Sequence, residues 1–416
     1  MKNRINEPSG DNELKLQIEN QSVSSSYQST NNRKIRVAFF TDVLIRDFDG
    51  AIKTMYQLIN RIPQDRFEYV FFCGVPPKHD FPHRVVKVPS MIIPFNTSYR
   101  VSLPRFARVK LWRKLSEFKP DVIHISTPSF LGFFGLNYAE NKGIPVLSIY
   151  HTHFISYMRY YFKHSPFLIK PIESLIAKLY QKFYNRCDLV YIPTNFMMKE
   201  LIDHGIAKEP LKQWHRGLET NLFNAERKDE AYVRGITGND KPCLLYASRI
   251  VWEKNLETLF EIYDEAEAQQ LDVNFIVAGS GVAEPEARER MKNAHFLGYL
   301  NHDELGKLYA STDIFVFPSI SESYGNVVVE ATACGCIPVI ARGGGSQALV
   351  KDGETGFLCE PNDPKDYIEK IKLLLSNKAL RNKMQAAGAQ YTSSLSWEHL
   401  ADEYFRDIVL LTEAKN

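Results

Sequence analysis

The sequence predicts an α/β protein made of two doubly wound domains that face each other across a central cleft. Three observations carry this expectation. Short apolar runs of strand length alternate with segments of helical periodicity, which is the signature of parallel sheets covered on both faces. That alternation occurs twice along the chain, with a break in the pattern near residues 205 to 240. The length of 416 residues exceeds what one hydrophobic core normally organises.

The elements follow in order. Residues 1 to 32, with QSVSSSYQSTNN, are polar and lack apolar periodicity, so they read as a disordered leader. IRVAFFTD (Ile35 to Asp42) is a strand of the buried kind. After a loop ending in Asp49-Gly50, residues Ala51 to Arg61 place Ile52, Met55, Leu58 and Ile59 at helical spacing. Further strands are expected at Phe67 to Cys73, Asp121 to Ser126, Pro145 to His153 and Asp188 to Pro193. The second half offers strands at 243–248, 274–281, 295–299, 313–319 and 337–341, a helix from Asn255 to Gln269, and a last helix from Trp397 to Leu411. The expected division is therefore a leader (1–32), a first domain (33–212), a second domain (213–395) and a C-terminal helix (396–416).

Composition excludes several classes. Hydrophobic residues make up 44% and charged residues 24%, ordinary values for a globular protein. The six cysteines have no C-x-x-C spacing, which argues against zinc and against a disulfide framework and favours a reducing cytosol. No run approaches a spanning helix, and no apolar signal segment opens the chain. The near-neutral total hides an asymmetry: residues 33–212 hold 27 basic and 14 acidic side chains, residues 213–416 hold 21 and 31. In the basic half, RVSLPRFARVKLWRKLSEFK (100–119) and MRYYFKHSPFLIKPIESLIAKLYQKFYNR (158–186) mix Lys and Arg with aromatic and aliphatic residues. Such helices suit an anionic bilayer interface; the plainer alternative is a solvated basic face with its apolar residues turned to the core. Nucleic acid fits less well, given the acidic second half.

Chemistry concentrates between Phe315 and Gly345. A strand there runs into a loop with Glu322; Gly325 and Asn326 then open a helix carrying Glu330, and a further strand ends in three glycines. A helix N-terminus at the carboxyl end of a strand suits a phosphate. Carboxylates beside a phosphate repel it, so Glu322 and Glu330 more plausibly face hydroxyl groups, as a sugar would supply. A solvated loop acid and a helix-surface acid remain the ordinary alternative.

With ASRIVWEKN, VAGSG, FLGYL, SESYGNVVVEA and the GGG turn in that order, the chain resembles the family-4 retaining glycosyltransferases of the GT-B type, over about residues 35 to 410. The resemblance implies two facing Rossmann-like domains and a nucleoside diphosphate sugar as donor, with no cofactor and no metal. It implies that Glu322 approaches the sugar hydroxyls and Glu330 the nucleotide ribose. Arg249 and Lys254 would be two fixed cations that neutralise the departing diphosphate. His151 would hydrogen-bond the donor hexose, whereas His153 and His124 are less defined, and His124 reads equally as a packed strand-end residue. Gly50 would let backbone approach the donor phosphate, and Gly325, Asn326 and Val327 would cradle it. Gly279 and the backbone at Tyr299 and Leu300 belong to the nucleotide side. Asp47-Phe48-Asp49 has the spacing of metal ligands but directly follows the first strand and reads as loop.

The stretch WHRGLETNLFN (214–224), with Gly217 offering close approach, is similar to lipid-directed members of the family, among them mannosyltransferases and sulfoquinovosyl diacylglycerol synthases. The expectation is transfer of a hexose from a UDP- or GDP-sugar to a lipid or glycolipid acceptor at the cytosolic membrane face. The rivals are a nucleotide-sugar 2-epimerase of the same fold, which would turn over donor without acceptor, and a non-catalytic membrane-associated scaffold.

Overall fold

The computed structural model describes residues 33–46, 50–78, 80–93, 96–150 and 169–414. The first domain holds β1 (Ile35–Val43), α1 (Gly50–Ile59), β2 (Phe67–Val75), β3 (Arg84–Lys87), β4 (Ser90–Ile93) and β5 (Asn96–Ser102). A 3-10 turn at Pro104–Ala107 leads into α2 (Arg108–Phe118), followed by β6 (Val122–Ile125), α3 (Phe130–Lys142), β7 (Val146–Ile149), α4 (Ile169–Tyr184), β8 (Leu189–Ile192), α5 (Asn195–Asp203) and β9 (Leu211–Gln213). Its main sheet is parallel, in the order β3-β2-β1-β6-β7-β8-β9, with β4 and β5 as a separate antiparallel pair. Strands buried on both faces must be apolar throughout, which is why runs such as Val37 to Phe40 (VAFF) are fully enclosed.

The second domain starts with α6 (Glu230–Thr237) and continues through β10 (Cys243–Ala247), α7 (Leu256–Ala268), β11 (Asn274–Ala278), α8 (Glu284–Arg290), β12 (His295–Gly298), α9 (His302–Ser311), β13 (Ile314–Phe317), α10 (Asn326–Ala333), β14 (Ile337–Ala341), β15 (Phe357–Cys359), α11 (Pro364–Ser376) and α12 (Lys378–Ser393). Its parallel sheet runs β12-β11-β10-β13-β14-β15. Strand order reverses between β1 and β6 in the first sheet and between β10 and β13 in the second. Open α/β sheets bind ligands beyond the carboxyl ends of the strands at such a reversal. The loops after β1, β10 and β13 are thus the ones positioned for chemistry, and they carry Gly50, Arg249 to Lys254, and Glu322.

One core fills the second domain, while two cover the opposite faces of the first sheet. The face under α1 is completed by α13 (Trp397–Glu413), which follows the second domain in sequence but returns to the first. Its Trp397, Leu400, Tyr404, Phe405 and Ile408 pack with Phe39, Tyr69 and Tyr191. Buried polar groups fix its register: the Tyr404 hydroxyl lies 2.7 Å from His124 Nδ1 and 3.3 Å from the Tyr69 hydroxyl, and Asp407 accepts from Tyr191 (2.6 Å) and Lys212 (2.6 Å). Burial pushes the His124 imidazole down to about 3, so it is a neutral packing residue.

The chain crosses between domains twice, at 214–218 and 395–397. The two crossings are bonded to each other, with Leu218 N–H donating to Leu395 O at 2.9 Å.

Candidate active site

The site is built on the second sheet's point of reversal. After β10, the backbone turns through a short 3-10 segment, Trp252–Lys254, whose lysine is buried. After β13, the loop brings Glu322 onto that lysine, and Lys254 Nζ bonds Glu322 Oε1. The Ser319 hydroxyl donates to the same carboxylate oxygen at 3.2 Å, and the Ser321 hydroxyl donates to Glu253 O at 2.7 Å, stitching the two loops together. Burial pushes the Glu322 carboxyl up, but the charge and hydrogen bond of Lys254, with Ser319, outweigh it and leave the group below its ordinary value. The site therefore presents an ionised carboxylate and an ammonium in direct contact.

Arg249 departs from the sequence expectation of two fixed cations. Its side chain is 63% exposed and, among the described residues, is ion-paired with Glu253 at 3.5 Å, four residues on, so it stands at the rim. The reason is local: Arg249 leaves the strand end into solvent, whereas Lys254 is covered by the Glu322 loop.

Gly325 begins α10 with a left-handed φ of 99°, and a Cβ there would lie 2.8 Å from Ser346 Cβ. Both facts require glycine. No side chain caps this helix, so the amides at Asn326 and Val327 keep the open N-terminus that suits a phosphate. Asn326 Oδ1 is buried without a hydrogen-bond partner among the described residues. One turn on, Glu330 is half-buried, and its carboxyl is pushed up to about 7 by burial, with His302 and Lys53 pulling the other way. The turn at Gly345 closes from beneath, its N–H donating to Glu322 O at 2.6 Å.

Of the remaining expected residues, Gly50 opens α1 with free space around it, Gly279 lies against the Ser248 carbonyl, Tyr299 is exposed and Leu300 half-buried. Gly217 calls for a correction: a Cβ at this position would sit 2.5 Å from the Trp397 ring. The close approach seen in the structure is that of α13. His151, His153 and Asp47 to Asp49 lie outside the described residues. Sequence reasoning missed Ser319, which has no motif around it, and Glu219, which sat unremarked inside WHRGLETNLFN.

The first domain carries a second feature at the start of α2. Phe106 and Val109 are 76% and 84% exposed, among Arg105, Arg108, Lys110 and Arg113. Leu175 and Leu179 of α4 are also exposed, while Tyr180, Phe183 and Tyr184 face the core. The described parts of the two basic segments thus split their apolar residues between core and surface. No described helix is long and apolar enough to cross a membrane, and no described cluster of side chains could hold a metal ion.

The family profile Glycosyltransferase Family 4 matches residues 48–222, and Glycosyl transferases group 1 matches residues 229–391. The chain is 33% identical over 373 residues to sulfoquinovosyl transferase SQD2 of Arabidopsis thaliana, covering 87% of this chain and 71% of that protein. It is 25% identical over 347 residues to an alpha-monoglucosyldiacylglycerol synthase of Acholeplasma laidlawii, covering 79% and 86%. Among solved structures, Alr3699/HepE of Anabaena in complex with UDP and glucose superposes with a TM-score of 0.69 at 18% identity, over 90% of this chain and 99% of that one. The chain belongs to the family-4 glycosyltransferases and is a glycosyltransferase of the GT-B fold.

Proposed function

We propose that the protein is a retaining hexosyltransferase that takes its sugar from a UDP- or GDP-linked donor and passes it to a lipid or glycolipid acceptor at the cytosolic face of a membrane. The observation that carries this reading is the Lys254–Glu322 pair beside the open N-terminus of α10. The open helix end and Lys254 together offer fixed positive potential to a diphosphate. As the bond to the sugar breaks, charge builds on the leaving phosphate, and donors already in place stabilise it without reorganisation. Glu322 then has sugar hydroxyls to accept from, and Glu330 the ribose hydroxyls. In this reading no protein nucleophile takes part; the acceptor enters on the face the nucleotide leaves, and the departing phosphate oxygen takes its proton. No metal is needed, because the positive charge is supplied by the chain.

For the acceptor, support comes from the exposed Phe106 and Val109 among four cations, and from the lipid product named for the Acholeplasma relative. Anionic lipid attracts such a patch at roughly 1 kcal/mol per cation. The test is a panel of UDP-, GDP- and ADP-sugars read first by thermal shift and then by transfer to vesicle-borne glycolipid acceptors, with EDTA present. A ligand at about 100 times its Kd adds roughly 2.7 kcal/mol of stability. Wild-type rates retained by Glu322→Ala, or donor turnover with no acceptor present, would overturn the assignment.

A further inference from the structure

Helix α1 carries Lys53 and Gln57, four residues apart and hence on one face, and Arg61 follows in the turn just past its end. Each reaches a different part of the molecule. Lys53 Nζ lies 3.0 Å from Nε2 of His302, the first residue of α9 in the second domain. Gln57 Nε2 donates to Glu219 Oε1 at 2.9 Å, in the segment just past the first crossing between domains. Arg61 donates to Gln57 Oε1 at 2.6 Å and to Glu398 Oε1 at 2.8 Å, at the start of α13.

The histidine joins two of these lines. An ammonium only donates, so His302 Nε2 accepts from Lys53 and the ring proton sits on Nδ1. Nδ1 faces Glu219 Oε2 at 3.5 Å. The result is a continuous polar chain, Lys53–His302–Glu219–Gln57–Arg61–Glu398, that leaves the first domain for the second and returns through the segment past the crossing. Two of its members, Lys53 and Glu219, are also charged groups whose fields reach the Glu330 carboxyl on α10. Within this chain of described residues, the Lys53–His302 link is the one that joins a first-domain helix directly to a second-domain helix, so moving the domains apart would lengthen it.

We propose that Lys53 and His302 form a latch that holds the two domains closed behind the nucleotide, with Glu219 as the positioning residue that fixes the imidazole tautomer. The proposal rests on reading this cleft as the donor site. Closure excludes water from a reacting donor and is assembled from interactions that exist in one state only. A hydrogen bond that exists only in the closed state biases the equilibrium by about two- to tenfold.

The test uses the full chain. Small-angle X-ray scattering without nucleotide gives the radius of gyration, and steady-state kinetics give KM for the donor and kcat. Lys53→Met and His302→Leu should each enlarge the radius of gyration and raise the donor KM by about two- to tenfold. The double variant should be no worse than the poorer single one, because both remove the same bond. His302→Gln should remain close to wild type, since its amide oxygen accepts from Lys53 and its NH2 donates to Glu219. Effects of the single variants that multiply in the double variant, or a His302→Gln protein as open as His302→Leu, would overturn the latch. If the wild type turns over donor while Lys53→Met changes neither KM nor the radius of gyration, the latch fails and the donor reading stands. If no nucleotide sugar is used by the wild type, the donor reading fails and the scattering comparison still decides the latch.

Discussion

Replacing Glu322 by Gln, Lys254 by Met, and both together separates what the pair does for stability from what it does for the reaction. The side chains are only 17% and 6% exposed, so each single change leaves a charge in a poorly solvated place. Breaking a buried ion pair from one side costs about 3–5 kcal/mol, whereas replacing both partners by neutral groups of similar volume is often near neutral. Glu322→Gln strands the more buried Lys254 and should cost ~3 kcal/mol. Lys254→Met should cost somewhat less, ~2 kcal/mol, because Glu322 keeps the Ser319 hydroxyl at 3.2 Å and some solvent. The double variant should return to within ~1 kcal/mol of wild type. In a unit of about 180 residues each kcal/mol moves Tm by roughly 2–4 °C, so calorimetry should find a drop of about 6–12 °C for Glu322→Gln and little for the double variant. Transfer should be lost in all three. Losses that simply add in the double variant would refute the argument that the pair is a functional device carried at little net gain in stability. The pH dependence has a definite sign: the Glu322 carboxyl lies below its ordinary value, so its contribution is present above the unfolded value and lost as pH falls through the folded one.

Glu330 should behave oppositely. With its carboxyl pushed up to about 7, ligand-free stability should fall by up to ~3 kcal/mol as pH rises from the ordinary carboxyl value through 7, and Glu330→Gln should flatten that slope in urea titrations. Donor affinity should rise over the same window, because only the ionised carboxylate accepts two ribose hydroxyls. Gly217→Ala drives a Cβ into the Trp397 ring and should cost about 1–3 kcal/mol, read by denaturant unfolding. Phe106→Ser with Val109→Ser should leave Tm within ~1 °C, as both side chains are exposed, yet weaken co-sedimentation with anionic vesicles.

Both sheets were legible because parallel strands must be apolar on both faces, a pattern that survives without neighbours. Ile35 to Asp42 and Ile337 to Ala341 were read to within a residue. The short strands β3, β9 and β15 were not, since three or four residues such as Arg84 to Lys87 carry too little pattern. Glu322 and Lys254 were legible from their places after strand ends. That they bond to each other was not, because 68 residues separate them and only the sheet order makes them neighbours. The same limit hid the partners of Lys53 and the true neighbour of Gly217. An amphipathic helix announces that it has a buried face, not what buries it.

The return of α13 to the first sheet has a consequence for how the molecule comes into being. Synthesis delivers β1 to β9 long before Trp397 to Val409, yet those last residues roof the side of the first sheet bearing Val37, Phe39 and Tyr69. The half that emerges first is therefore the half that finishes last: its exposed face must wait, while the whole second domain is made and folded, for the end of the chain to arrive.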